Sequence, residues 1–226
     1  MGRLSLAASA VRGANPARGK RIGIFGGTFD PPHVGHLILA ETSASSLALD
    51  CILFTPAADP PHKLAADVRA SAAHRAAMVE RAIADNDRFA LCRADLDRPG
   101  PHYTVDMLRL VQTDYPGADL FFLIGGDSLR DLPNWSRPAE LIALATLGVM
   151  RRPGYPPALD DLERHIPGLR SRIAWIDAPL IELSASHIAA QIAAGVSVRY
   201  QLPDAVCAYV EEHHLYRSAD DGRDES

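Results

Sequence analysis

Neither of the common glycine-rich phosphate-binding signatures occurs in this chain of 226 residues. Gly-x-Gly-x-x-Gly is missing after the first strand-like run, where the text is Gly23-Ile24-Phe25-Gly26-Gly27. Gly13 to Lys20 has the outline of a P-loop but five residues between its glycines where four are needed, and Arg21 stands where a Ser or Thr would hold magnesium. Cysteine is scarce. Cys51, Cys92 and Cys207 are dispersed and form no CxxC pair, which excludes a disulfide framework and a zinc knuckle and points to a reducing compartment. Positive charge is not in excess: 23 Lys+Arg against 28 Asp+Glu leave a net charge of −5. A surface that coats nucleic acid is thereby excluded, so an anionic ligand has to be held by a local site. No apolar run approaches the ~20 residues of a membrane-spanning helix. There is no internal repeat and no interdomain linker.

What is present has globular proportions, 47% hydrophobic and 23% charged. Residues 1–20 are basic, carry no acid and are filled with Ala, Ser and Gly. They read as a disordered extension, because the apolar stretch 4–8 is short and broken by Ser5, unlike a secretory signal. Residues 218–226 read as a frayed acidic tail, which leaves one domain over 21–217 and a cytoplasmic protein. Within it the pattern predicts strands over 21–25, 51–55, 88–91, 120–124, 147–151 and 172–176. Helices are expected over 36–49, 71–84, 104–113, 138–145, 185–194 and 203–213. Strands alternating with helices imply an α/β, Rossmann-like parallel sheet with helices on both faces, closed by a small C-terminal helical region. Ligands in such sheets sit beyond the carboxyl ends of the strands. Glycine pairs follow Phe25 and Ile124, marking two candidate edges of a site.

The densest chemistry lies in Gly26-Gly27-Thr28-Phe29-Asp30-Pro31-Pro32-His33-Val34-Gly35-His36. Two glycines after a strand allow backbone amides to approach a ligand closely, and a helix starting near His33 offers unpaired N–H groups to a phosphate. His33 and His36 share a helical face, where two imidazoles can donate to polyphosphate oxygens and stabilise charge on a leaving group. Metal ligation by the pair is the competing reading, but only Asp30 is at hand to complete a ligand set. A purely structural capping role is the other.

This stretch resembles the signature of the HxGH nucleotidyltransferases, and within them the nicotinate-nucleotide adenylyltransferases. Further segments carry the resemblance from about residue 21 to about 217. Pro60-Pro61-His62-Lys63 is similar to a PPHK loop, and Tyr103-Thr104-Val105-Asp106 to a YTxDT segment in which Met107 replaces the final Thr. Gly125-Gly126-Asp127-Ser128 with Leu132-Pro133-Asn134-Trp135 is similar to GxDS…LPxW, and Arg199-Tyr200…Pro203 to RYxxP. The resemblance implies adenylyl transfer from ATP to nicotinate mononucleotide in NAD biosynthesis, with Mg²⁺ carried by ATP. It implies catalytic roles for His33, His36 and Lys63, and a nucleotide cradle of Gly26, Gly27, Thr28, Phe29 and Gly35. Tyr103, Thr104, Gly126, Asp127 and Trp135 would bind the acceptor.

One segment departs from that pattern. Where the family reads ISSTxIR, this chain reads Leu183-Ser184-Ala185-Ser186-His187-Ile188-Ala189. Ser184 and Ser186 keep hydroxyls at a helix start, while the arginine is Ala189. Arg199, ten residues on, is expected to return toward that helix start and supply the missing charge to ATP. Trp135 is expected at the edge of the site, able to stack on a base, and Trp175 in the core. Alternatives are another acceptor, nicotinamide mononucleotide or phosphopantetheine, a nucleotide sensor without turnover, or a metal-dependent hydrolase built on the histidines.

Overall fold

A computed structural model describes residues 21–59, 68–151 and 158–217. The N-terminal extension, the acidic tail and Lys63 lie outside the described residues. Six strands, β1 (Arg21–Gly27), β2 (Cys51–Pro56), β3 (Phe89–Leu91), β4 (Asp119–Gly125), β5 (Thr146–Met150) and β6 (Ile173–Ile176), form one sheet in the order β3-β2-β1-β4-β5-β6. Every pairing is parallel. The chain runs outward from β1 to one edge, then restarts at β4 beside β1 and runs to the other. The crevice between the ends of β1 and β4 is therefore the switch point where such sheets bind ligands.

Alternation along the central strands builds two apolar layers. Ile22 and Ile24 of β1 with Leu120, Phe122 and Ile124 of β4 face one way, against Leu108 and Val111 of α3 (Thr104–Asp114) and Leu141 of α5 (Pro138–Leu144). Phe25, Phe121 and Leu123 face the other. There they meet Ala40 and Ala44 of α1 (Val34–Ser46), Met78 and Val79 of α2 (Ala72–Ala82), Ile188 of α7 (Ala185–Ala193) and Val206 of α8 (Asp204–Glu212). The C-terminal helices close the domain over α2, where His74 Nδ1 lies 2.9 Å from the Tyr209 hydroxyl.

Differences from the pattern reading fall at element ends and in short helices. Sheet pairing persists through both glycines of β1, with Gly26 opposite Thr55 and Gly27 opposite Pro56, because glycine costs a strand entropy but blocks no hydrogen bond. Two short helices, α4 (Gly126–Asp131) and α6 (Leu159–His165), lie where the pattern predicts none. Trp175, expected in the core, is half-buried on the edge strand β6, with the Arg151 guanidinium 5.0 Å from its ring centroid. No described helix is long and apolar enough to cross a membrane.

Candidate active site

The loop leaving β1 is shaped from below by an aromatic ring. Phe29 adopts the left-handed backbone region, φ 52°, which turns its side chain under the loop to lie 5.8 Å from Phe25, 5.7 Å from Phe54 and 5.0 Å from His36. A Cβ on Gly27 would stand 2.9 Å from that ring, so glycine there is a steric requirement. Phe29 thus contributes its ring as the floor beneath His36.

His33 immediately precedes α1 and is 7% exposed. Its ring stacks on that of His36 at a centroid distance of 3.7 Å. A Cβ on Gly35 would stand 3.0 Å from His33 Nδ1 and 3.2 Å from Ile181 Cγ2. Gly35 is therefore the space into which the His33 ring and the segment leading to α7 both fit. The backbone N–H of His33 donates to His36 Nδ1 at 3.1 Å. Neutral His36 must then carry its proton on Nε2, a fixed donor. His33 Nδ1 is buried without a partner. Burial lowers the His33 pKa to about 4, and burial followed by the neighbouring His33 holds His36 well below its ordinary value. Both rings are neutral donors at pH 7. The first turn of α1 is less open than a bare helix start, since Val34 N–H donates to the Gln201 carbonyl at 2.9 Å and His36 N–H to the His33 carbonyl at 2.9 Å.

Two buried charges, neither given a role by sequence reasoning, hold this arrangement. Arg75 of α2 is 1% exposed. It donates to the carbonyls of Thr28 (2.8 Å), Ala58 (3.3 Å) and Ala70 (3.3 Å), so one guanidinium joins the loops after β1, after β2 and before α2. Burial lowers its pKa, opposed by Asp30 and then Tyr216. The signal was available: Arg75 stands on the apolar stripe of α2 with Met78, Val79 and Ala82. Asp30 accepts from the N–H groups of Arg69 (2.7 Å) and Ala70 (3.2 Å) and from the Tyr216 hydroxyl (2.7 Å). Burial and the adjoining Asp30 push the Tyr216 pKa far up, so that hydroxyl stays protonated and donating. Nothing in the sequence near position 216 announces this contact.

Tyr103, expected to bind the acceptor, is 44% exposed and precedes α3, whose start has no side-chain cap. Its loop is fastened by Asp95, which accepts from Ala58 N–H at 3.2 Å and from Arg98 at 2.5 Å. Arg98 also donates to the carbonyls of Pro101 and Tyr103. Arg137 donates to Asp106 at 2.6 Å, tying the first turn of α3 to the chain just beyond Trp135. Trp135 is half-buried, its indole N–H donating to Asp131 at 3.3 Å and its edge against Phe122. No Cβ contact closer than 3.9 Å constrains Gly125 or Gly126. Asp127, on α4, is exposed and ion-paired with Arg130.

The start of α7 adjoins the histidines through Ile181. Ser184 caps it, its Oγ accepting weakly from His187 N–H at 3.5 Å, and both Ser184 and Ser186 are exposed. Ala189 is 0% exposed. The expected chain reversal brings Gln201 back to α1, but Arg199 lines a cavity of about 830 Å³ with Ala193, Gly195, Asp204 and Glu211. That places it at the far end of α7 from Ser184 and Ser186, so its assignment to ATP is not what the fold favours. Among the described residues no cluster of three His, Cys, Asp or Glu could hold a metal ion.

Comparison with known proteins adds lineage to this geometry. The cytidylyltransferase-like family model matches residues 24–191. A protein of Thermomicrobium roseum named a "Probable nicotinate-nucleotide adenylyltransferase" is 46% identical, over 88% of this chain and 93% of its own. One of the same name from Thermus thermophilus is 42% identical, over 87% of this chain and 100% of its own. Among solved structures, Plasmodium falciparum nicotinic acid mononucleotide adenylyltransferase complexed with NaAD has the same fold, with a TM-score of 0.67 at 17% identity, covering 87% of this chain and 97% of that one. The chain belongs to the cytidylyltransferase-like family, among its nicotinate-nucleotide adenylyltransferases.

Proposed function

We propose that the protein transfers the adenylyl group of ATP to nicotinate mononucleotide, forming nicotinate adenine dinucleotide and releasing pyrophosphate. The 5′-phosphate of the acceptor attacks the α-phosphorus of ATP; a phosphorus–oxygen bond forms there as the bond to the β-phosphate breaks. The attacking group is already an anion at pH 7, so no general base is needed, and catalysis rests on positioning and charge stabilisation. The observation that carries the reading is the stacked, neutral His33–His36 pair beside the sheet's switch point, with His36 Nε2–H fixed as a donor. A pure nucleotide sensor has no use for such leaving-group stabilisation. Lys63 would add charge to the phosphates, and Gly26, Gly27, Thr28, Gly35, Ser184 and Ser186 would line them. Tyr103, Thr104, Gly126, Asp127 and Trp135 would take the mononucleotide. Mg²⁺ would arrive on the ATP oxygens, and the reaction belongs to a cytoplasmic enzyme.

The N–H groups at the uncapped start of α3 suit the carboxylate of the acid base. The corresponding amide would replace an acceptor oxygen by an NH₂ that those N–H groups cannot serve, a loss of roughly 10–10² in selectivity. Pyrophosphate release with ATP and equal concentrations of nicotinate and nicotinamide mononucleotides tests both levels. Preference for the acid by about that factor is expected. Equal turnover would refute the assignment of the acceptor pocket, and absence of release would refute the enzyme.

A further inference from the structure

The guanidinium that holds the triphosphate at the start of α7 is, we infer, that of Arg69; the inference rests on the adenylyl-transfer reading above. Arg69 lies just before α2, far in sequence from α7. Its backbone N–H is gripped by the buried Asp30 carboxylate at 2.7 Å, three residues before His33. Its exposed side chain reaches Nη1 to 3.4 Å from the carbonyl of Ser186 in the first turn of α7. That single long contact satisfies little of a guanidinium that can donate five hydrogen bonds.

The placement works against the helix. A cation beside a helix N-terminus meets the positive end of the dipole, where an acid is favoured. α1, α2 and α7 have no acidic residue in their first turns, whereas α3, α4, α5, α6 and α8 do. Among the described residues no carboxylate lies within ion-pair distance of the Arg69 guanidinium. The exposed Ser184 and Ser186, the positive end of the α7 dipole and the Arg69 guanidinium at the Ser186 carbonyl therefore share one end of the helix, and Ile181, three residues before Ser184, and the buried, unpartnered Nδ1 of His33 both border the space that a Gly35 Cβ would take. An anion with several oxygens relieves all of these at once. The neighbouring positions cannot supply the charge: Ala189 is shut in the core, and Arg199 lines the cavity at the other end of the nine-residue α7, roughly 13 Å along its axis. The ligand group is thus the β- and γ-phosphates of ATP, which leave as pyrophosphate.

The test compares the full-length protein with Arg69→Ala, Arg69→Lys and Arg199→Ala, measuring steady-state KM for both substrates and binding of ATP, AMP and inorganic pyrophosphate. The anchor is a backbone N–H that alanine retains, so Arg69→Ala should fold normally. It should raise the ATP KM and weaken pyrophosphate binding by roughly 10–10² while changing AMP binding and the mononucleotide KM by no more than about twofold. Arg69→Lys should recover part of the loss, since it restores charge without the fork. An equal loss for AMP and ATP, or a loss carried by Arg199→Ala with Arg69→Ala unaffected, would overturn the inference. Failure of the reaction reading looks different: wild-type protein would release no pyrophosphate, yet Arg69→Ala would still lose its grip on ATP.

Discussion

Lowering the pH below the ordinary imidazole range should destabilise this protein through His33. In the unfolded chain His33 takes up a proton near its ordinary value of 6.5, whereas in the fold burial lowers that value to about 4. Between those limits the unfolded state binds the proton and the folded state does not, so stability falls as pH falls through the window. At ~1.4 kcal/mol per pH unit the gap amounts to at most about 3 kcal/mol, a large share of the ~5–15 kcal/mol that holds a domain together. Urea unfolding at pH 7, 6, 5 and 4.5 for the wild type and His33→Gln would measure it. His36 titrates in the same direction, and because the neighbouring His33 contributes to its lowered value, the difference between the two curves reads His33 together with its effect on His36. The variant, with no imidazole to charge at that position, should lose less stability across the window, by about 2–3 kcal/mol at its acid end. Saturating pyrophosphate should flatten the wild-type curve, because an anion beside the ring favours its charged form. Parallel curves for the two proteins would refute the argument.

Arg75→Met keeps much of the side-chain volume but leaves the carbonyls of Thr28, Ala58 and Ala70 without their donor. A loss of about 3–5 kcal/mol is expected by urea unfolding; less than about 1 kcal/mol would mean that water replaces the guanidinium at no cost. His36→Ala should lower kcat by roughly 10² or more with a smaller change in KM. A raised KM at unchanged kcat would assign His36 to ground-state binding instead.

Much of this molecule is written locally. The apolar runs, the glycine pairs after β1 and β4 and the helix-length alanine-rich segments predict a parallel α/β sheet, and the site falls where the order of strands makes it fall. The stretch from Gly26 to His36 carries the phosphate chemistry on contiguous residues, which is why it is legible without coordinates. The nearness of His33 to His36 follows from their spacing too, but His33 is the extended residue before α1 (φ −132°, ψ 167°), so the rings stack through the cap and not through a common helical face. What the chain could not disclose are contacts between segments that meet only after folding. Asp30 reads as one more acid in a loop, yet its carboxylate joins position 30 to positions 69, 70 and 216. Arg75 falls on the apolar stripe of α2, but the three loops whose carbonyls it joins meet only in the fold. The lost arginine at Ala189 shows the difference most clearly: sequence proximity nominates Arg199, ten residues away, while the fold sends that residue to the far end of α7 and brings Arg69, 117 residues from Ser186, to its first turn. Periodicity and motif spacing determine which elements form and which chemistry they offer, because those depend on neighbours along the chain. Which charges lie side by side depends on packing in three dimensions, and only the tertiary structure decides it.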